Sequence, residues 1–357
     1  MSKERVVVGL SGGVDSSVSA ILLKMAGYDV IGVTMRIWGG EPTKTGKRHS
    51  CYGPEELDDI EDARRVCERL DIPFYEIDLI KEYREIVLTY FKNEYLKGRT
   101  PNPCIRCNQL LKFKALLEKV EKIGIEFDYF ATGHYARVDY DSGRSRYILK
   151  KGVDERRDQS YFLFSLTQNQ LSRVLFPLGS YRKSEVREIA KKSGLEVHDK
   201  EESQDFYGGD YRGLLNVKPS SGPILDRYGR VLGKHNGIWN YTIGQRKGLG
   251  LQSEVPLYVI DIDPEKNAII VGEEKELYRE EFIATNVNWI SIEKPENPMD
   301  AKVKIRYKSE ETECTLFPLS EDKVSVRFRK PQRAVTPGQA SVFYDGEIVI
   351  GGGIIEK

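Results

Sequence analysis

Cysteine, histidine, methionine and tryptophan are all scarce in this chain, which has 357 residues but only 5 Cys, 4 His, 4 Met and 3 Trp. So few cysteines, and an odd number of them, argue against a secreted disulfide framework, and no apolar leader follows the opening Met1-Ser2-Lys3-Glu4-Arg5. A reducing, cytoplasmic setting is expected. No run of about 18 apolar residues occurs, so a membrane-spanning helix is excluded. An excess of either charge is also missing, since 55 basic side chains face 55 acidic ones. Any nucleic-acid contact must therefore come from local patches and not from a global positive field. What the chain has in quantity is charge of both signs (31%) and tyrosine (20), a balance that leans toward a heat-adapted source. The length suits roughly two or three domains with ample core.

Two periodicities alternate over the first 200 residues. Val6-Val7-Val8-Gly9-Leu10 predicts a buried strand, Val18 to Ala26 a helix, and Val30-Ile31-Gly32-Val33-Thr34 a second strand. Leu57, Ile60, Ala63, Val66, Cys67 and Leu70 share one helical face, Phe74 to Leu79 reads as a strand, and Tyr129-Phe130-Ala131-Thr132 as a later one. Such alternation predicts an α/β N-terminal domain built on a doubly wound parallel sheet. From about Gly208 the texture turns to Gly, Tyr and turn residues. From about Phe282, short runs such as Val303-Lys304-Ile305-Arg306-Tyr307, Glu313 to Phe317, Val324 to Phe328 and Ala340 to Tyr344 predict a C-terminal antiparallel β-barrel. The expected division is 1–205, a small central domain over 206–280, and the barrel over 281–357.

Straight after the first strand comes GLSGGVDSS, Gly9 to Ser17, with a helix beginning at its end. Clustered Ser and Gly let the backbone turn tightly, so that amide N–H groups and a helix N-terminus face one spot, an anion site. No Gly-Lys-Ser/Thr closes the loop and no Gly-x-Gly-x-x-Gly is present, so it is neither a Walker loop nor a dinucleotide fingerprint.

The segment SGGVDSS resembles the loop of the PP-loop ATP pyrophosphatases, which cleave ATP between its α and β phosphates. Seven further segments follow in order: GRTPNPCIRCNQLLKFK (Gly98 to Lys114), ATGHYAR (Ala131 to Arg137), RDQSYFL (Arg157 to Leu163), ESQDF (Glu202 to Phe206), YTIGQRKGLG (Tyr241 to Gly250), KIRY (Lys304 to Tyr307) and PGQA (Pro337 to Ala340). Together they resemble, over practically the whole chain, the bacterial tRNA-uridine 2-sulfurtransferases, or 2-thiouridylases. The resemblance implies an adenine-nucleotide-hydrolase-like fold and a reaction in which ATP activates O2 of the wobble uridine of tRNA, so that sulfur can displace it. A carbonyl oxygen leaves poorly, and adenylation turns it into AMP, a good leaving group. The same resemblance implies that Gly9, Leu10, Ser11, Gly12, Gly13, Val14, Asp15, Ser16, Ser17, Met35 and Gly133 line the ATP site, with Asp15 near the phosphates and Mg2+. It implies that Asn102, Pro103 and position 104 face the target base, and that His134, Asp158, Gln159, Ser160, Arg306, Tyr307 and Gln339 touch tRNA. Basic and aromatic residues interleave in Val326-Arg327-Phe328-Arg329-Lys330, which suits phosphate contact with base stacking.

The common form of this family pairs two cysteines, one at the position of Cys107, carrying a persulfide, the other after Glu-Ser-Gln-Asp, closing a disulfide. Here the second position is Tyr207, and Cys104 stands where Asp is common. Four accounts of the Cys104/Cys107 pair compete. A zinc site would want further ligands that are missing. A redox pair at a helix start would make Cys104 the resolving thiol for a persulfide on Cys107. Passive packing is the third account. The fourth is a [4Fe-4S] cluster on Cys104, Cys107 and one remote cysteine, as in related tRNA thiolases. It would leave one iron open to bind sulfide. Cys67 falls on an apolar helix face and Cys314 on a barrel strand, so Cys51 is the expected third ligand. Arg106 and Lys112 are expected to lower the thiol pKa from about 8.5. A sulfur donor, sulfide or a carrier protein, is implied as partner. The rival readings are an amidating PP-loop ligase and a non-catalytic tRNA-binding or redox-sensing homologue.

Overall fold

The computed structural model describes residues 3–40, 50–200 and 205–356. Glu202, Ser203 and Gln204 of the ESQDF segment lie outside the described residues. The chain divides into two compact units, one of Met1–Val87, Cys104–Tyr211 and Gly346–Val349, the other of Leu88–Pro103, Arg212–Asp345 and Ile350–Lys357. Among the described residues no helix is long and apolar enough to cross a membrane.

The first unit contains β1 (Arg5–Gly9), β2 (Asp29–Arg36), β3 (Ser50–Tyr52), β4 (Phe74–Asp78), β5 (Tyr129–Ala131), β6 (Ala136–Asp141), β7 (Arg146–Lys151), β8 (Val174–Leu175) and β9 (Asp205–Tyr207). Five of these form a parallel sheet in the order β4-β2-β1-β5-β8. Val6, Val7 and Val8 are fully buried, as central parallel strands covered on both faces must be. The chain proceeds from β1 outward to β2 and later returns to β5 on β1's other side. The strand order thus reverses between β1 and β5, and the carboxyl ends there are where open α/β sheets bind ligands. β6 and β7 form a hairpin, and Ile348 and Val349 add to β7. β3 and β9 make a separate parallel pair, with Ser50 opposite Asp205 and Tyr52 opposite Tyr207.

Two helices differ from their sequence expectation. The helix after β1 begins at Val14 and runs to Met25, because the tight Gly12-Gly13 turn leaves no room for a longer loop and Asp15 suits a first turn. Its Val14, Val18 and Ile21 pack with Val186 and Ala190 of the Lys183–Lys192 helix, while Ala20 and Leu23 face the sheet. In the Glu56–Leu70 helix, Ile60, Ala63, Val66 and Cys67 are buried as expected, but Leu57 is exposed, being in the first turn before the helix settles onto its neighbours.

The second unit carries a sheet of β10 (Gly222–Asp226), β11 (Val231–His235), β12 (Tyr258–Asp263) and β13 (Ala268–Gly272), ordered β11-β10-β13-β12. It also holds β14 (Tyr278–Trp289), β15 (Met299–Lys304), β16 (Thr312–Pro318), β17 (Lys323–Arg333), β18 (Ala340–Asp345) and most of β19 (Ile348–Ile355). These run β14-β17-β16-β15-β18-β19, and β14 pairs back with β19, so the antiparallel barrel closes and leaves no free edge. Phe282, Leu316, Val326, Phe328 and Phe343 fill it.

Candidate nucleotide and thiol site

The loop after β1 is built to approach something closely. Gly12 has φ +65°, and a Cβ there would stand 2.3 Å from the Asp59 carbonyl oxygen, so only glycine fits. Ser16 Oγ accepts from Ser11 N at 3.1 Å, Ser17 Oγ donates to Gly13 O at 2.8 Å, and no side chain caps the helix that begins at Val14. The first amides of that helix therefore remain available to an anion. Gly133, at the end of β5, closes the other side: a Cβ would lie 2.7 Å from Ser16 N and 2.9 Å from the Asp15 carbonyl carbon. Met35, near the end of β2, pairs with Ile77 and is partly buried.

Asp15 is more constrained than its motif suggests. Its carboxylate accepts from Lys183 Nζ at 2.7 and 2.9 Å and from the Tyr135 hydroxyl at 2.8 Å. Sequence reasoning missed Lys183 and Tyr135. Lys183 opens the last helix of the unit in a charged run, SYRKSEVR, where one lysine looks like any other until the helix is packed beside the loop. It is 8% exposed, so its ammonium is matched by a carboxylate as a buried charge must be.

His134 continues from Gly133. Its Nδ1 lies 2.7 Å from Thr132 Oγ1, and its ring centroid is 6.0 Å from those of both Phe113 and Phe176. Burial, with Lys112 adding to it, holds its pKa well below the usual histidine value, so it is neutral at physiological pH. A neutral imidazole can stack or share hydrogen bonds, but it offers no charge to phosphate.

Cys104 and Cys107 are not in a loop. The segment is helical from Pro103, whose missing N–H is harmless at the first helical position, and Cys107 opens a stretch to Ala115 with i→i+5 bonding before regular helix resumes at Leu116. Spacing of i, i+3 places both thiols on one side of the helix. Both are partly buried, whereas Cys51, on β3, is exposed. The expected effect of Lys112 on Cys107 is present but outweighed: burial pushes the thiol up to about 11, and Lys112 opposes it. Cys51 acts in the same direction as burial. Burial pushes the Tyr83 hydroxyl well above its usual value, with Cys107, Cys51 and Cys104 adding to it, and its ring stacks on Tyr52 at 5.1 Å and 13°. Cys67 and Cys314 are 1% exposed, each inside a hydrophobic core. Among the described residues no three His, Cys, Asp or Glu side chains are gathered tightly enough to hold a metal ion.

Against known families, the chain matches a tRNA methyl transferase HUP domain over residues 4–207, a tRNA methyl transferase PRC-barrel domain over 214–273 and an aminomethyltransferase beta-barrel domain over 279–355. It is 53% identical to tRNA-specific 2-thiouridylase MnmA 1 of Caldanaerobacter subterraneus subsp. tengcongensis, across 99% of this chain and 98% of that protein. The chain belongs to the tRNA-specific 2-thiouridylase family. Another member, the MnmA of Acetivibrio thermocellus, is 48% identical across 100% of both chains. Among solved structures, a 4-thiouridine synthetase in complex with RNA and bound ATP shares 18% identity over 60% of this chain and 46% of that one, at a TM-score of 0.35.

The residues that 2-thiouridylase resemblance assigns to tRNA are placed unevenly. Asp158 is 7% and Ser160 0% exposed; the Asp158 carboxylate accepts from Gly152 N, Ser160 N and Ser160 Oγ, and Gln159 Oε1 accepts from Tyr135 N. These side chains brace the β5–β7 region from within. Arg306 and Tyr307 fall beyond the end of β15 at Lys304, in a turn and not on the strand, and Arg306 donates to Ala334 O and Thr336 Oγ1. Gln339 donates to the Thr100 and Pro101 carbonyls. The suggested stacking strip is overturned in part. Phe328 points into the barrel against Phe282, and Arg327 and Arg329 pair with Glu281 and Asp300 at 3.3 and 2.8 Å. Alternation along β17 explains this, since residues 326 and 328 must face the same side.

Proposed function

We propose that this chain replaces O2 of the wobble uridine of tRNA with sulfur, using ATP and Mg2+. Close similarity to 2-thiouridylases over full length carries the reading, and the anion-binding loop at Ser11 to Ser17 beside Gly133 supports it. The loop amides would hold the departing pyrophosphate while Asp15 and Lys183 set charge beside it. Uridine O2 attacks the α-phosphorus and pyrophosphate leaves; a sulfur nucleophile then attacks C2 and AMP leaves. Asn102, immediately before the thiol helix, and Pro103, its first residue, would face the base, and neutral His134 would touch the tRNA. Cytoplasmic tRNA is the substrate in this reading.

Tyr207 at the second cysteine position removes the usual disulfide partner, so the sulfur step needs another device. Cys51, Cys104 and Cys107 are the exposed or half-exposed thiols, all three act on the Tyr83 hydroxyl, and soft thiolates are the donor set that iron–sulfur clusters take. These three are the donors a [4Fe-4S] cluster would take, and as placed in this structure they would have to draw together to hold one. When bound, such a cluster would supply an open iron that activates sulfide, and ligation would deprotonate Cys107, whose thiol burial otherwise keeps protonated. Protein prepared without oxygen, with iron and sulfide, is expected to absorb broadly near about 400 nm, and Cys51→Ala, Cys104→Ala and Cys107→Ala each to abolish that band and thiolation together. Full iron-free activity of Cys104→Ala would instead make Cys107 a persulfide carrier without Cys104 as its resolving thiol.

A further inference from the structure

The thiol helix opens at the end of Gly98-Arg99-Thr100-Pro101-Asn102-Pro103, a segment that can do little to fix itself. Two of its six residues are prolines without an N–H, and Gly98 is at φ +69°. What holds it comes from the far end of the chain. Thr100 N donates to Pro337 O at 2.9 Å, and the Gln339 side-chain amide donates to Thr100 O at 2.8 Å and Pro101 O at 3.4 Å. Between them Gly338 sits at φ +91°, and a Cβ on it would come within 3.0 Å of Thr100 N and O. The turn is itself anchored: Gly338 N donates to Ile355 O at 2.9 Å, Ile355 N donates to Gln339 O at 2.8 Å, and Gln339 N donates to Thr336 O at 3.2 Å. On the other flank Arg99 pairs with the 9%-exposed Glu94 at 2.7 Å.

We infer that the Pro337-Gly338-Gln339 turn is a splint for the base-facing loop, and that Gln339 is a positioning residue for thiolation. Its amide fixes the backbone three and two residues before Pro103, and so fixes where Asn102 stands relative to the uridine. This rests on the thiolation reading. The direct contact with tRNA that resemblance gives Gln339 makes a different prediction. A residue that only grips tRNA changes KM; one that sets the geometry of reacting groups changes kcat, because displacement by about 1 Å can slow a reaction by up to a hundredfold.

The test uses Gln339→Met, of similar length but without a donor, and Gly338→Ala. Two readouts are taken on the full-length protein: kcat and KM for tRNA thiolation, and the rate at which iodoacetamide alkylates Cys104 and Cys107 with no tRNA or ATP present. Expected for Gln339→Met are a kcat roughly tenfold lower, a KM for tRNA within about twofold, and alkylation at least about threefold faster. Gly338→Ala is expected to shift both in the same direction. A raised KM with unchanged kcat and alkylation would overturn the splint and leave a tRNA contact. Wild-type alkylation in both variants would overturn it as well. If the wild-type protein forms no thiouridine, the thiolation reading fails, while the alkylation readout still decides whether the turn holds the loop.

Discussion

Lys183 and Asp15 are separated by 168 positions in the chain, yet form a close charge pair at the phosphate loop. Removing one partner of a poorly solvated pair leaves the other unmatched. Lys183→Ala is expected to lower stability by about 2 kcal/mol, less than a fully buried pair would give because Asp15 is partly solvated. In a double-mutant cycle with Asp15→Asn the losses are expected to fall short of additive, as denaturant unfolding of the four proteins would reveal. Glu56 offers a pH test. Its carboxyl accepts from Ile37 N at 2.8 Å and Trp38 N at 3.0 Å just beyond β2, is faced by Arg36, Glu76 and Tyr52, and is raised by burial to about 7. A raised acid favours its protonated form in the folded state. That stabilisation is complete below about 4.5 and fades as pH rises through about 7. Thermal unfolding of Glu56→Gln is expected to lack this component, so its Tm relative to wild type should climb between those two pH values. Neither feature was readable from sequence: Glu56 lies in an acidic run, ELDDIED, and only the fold decides which carboxylate turns inward.

At the level of elements, the parallel strands were legible because β1, β2 and β5 are short apolar runs between turn residues, and a buried parallel strand can hardly look otherwise. The thiol helix was half legible. Pro103 marks its beginning, and the pair was expected at a helix start, but the wider i→i+5 winding from Cys107 has no sequence signature. β3 and β9 were not foreseen at all: three residues each, meaningful only as partners. Their pairing brings Tyr207 opposite Tyr52, whose ring stacks on Tyr83. Tyr52→Ala would empty a site that is 2% exposed, and an unfolding loss of about 3 kcal/mol is expected. Faster alkylation of Cys51 should accompany it, since β3 loses its packing; an unchanged rate would mean that β3 is held by other contacts. In the barrel, Arg306 and Tyr307 were expected on a strand because KIRYK continues the alternation of β15, yet the strand stops at Lys304. The hydrogen bonds Arg306 makes to Ala334 and Thr336 explain why the turn forms where it does.

For the whole molecule, balanced charge means that tRNA selection cannot rest on a general attraction, and in β17 the arginines already have acidic partners. Chemistry, more than affinity, is therefore what the sequence and fold make specific: a phosphate loop at the point where the sheet order reverses, a lysine and aspartate beside it, and three thiols outside the hydrophobic cores. The most direct test is the mass of the wobble uridine after tRNA is incubated with anaerobically prepared protein, iron, sulfide, ATP and Mg2+. A gain of about 16 mass units, strictly dependent on ATP and matched by pyrophosphate release, is the predicted result for oxygen replaced by sulfur. Tight tRNA binding with neither mass gain nor pyrophosphate would contradict it.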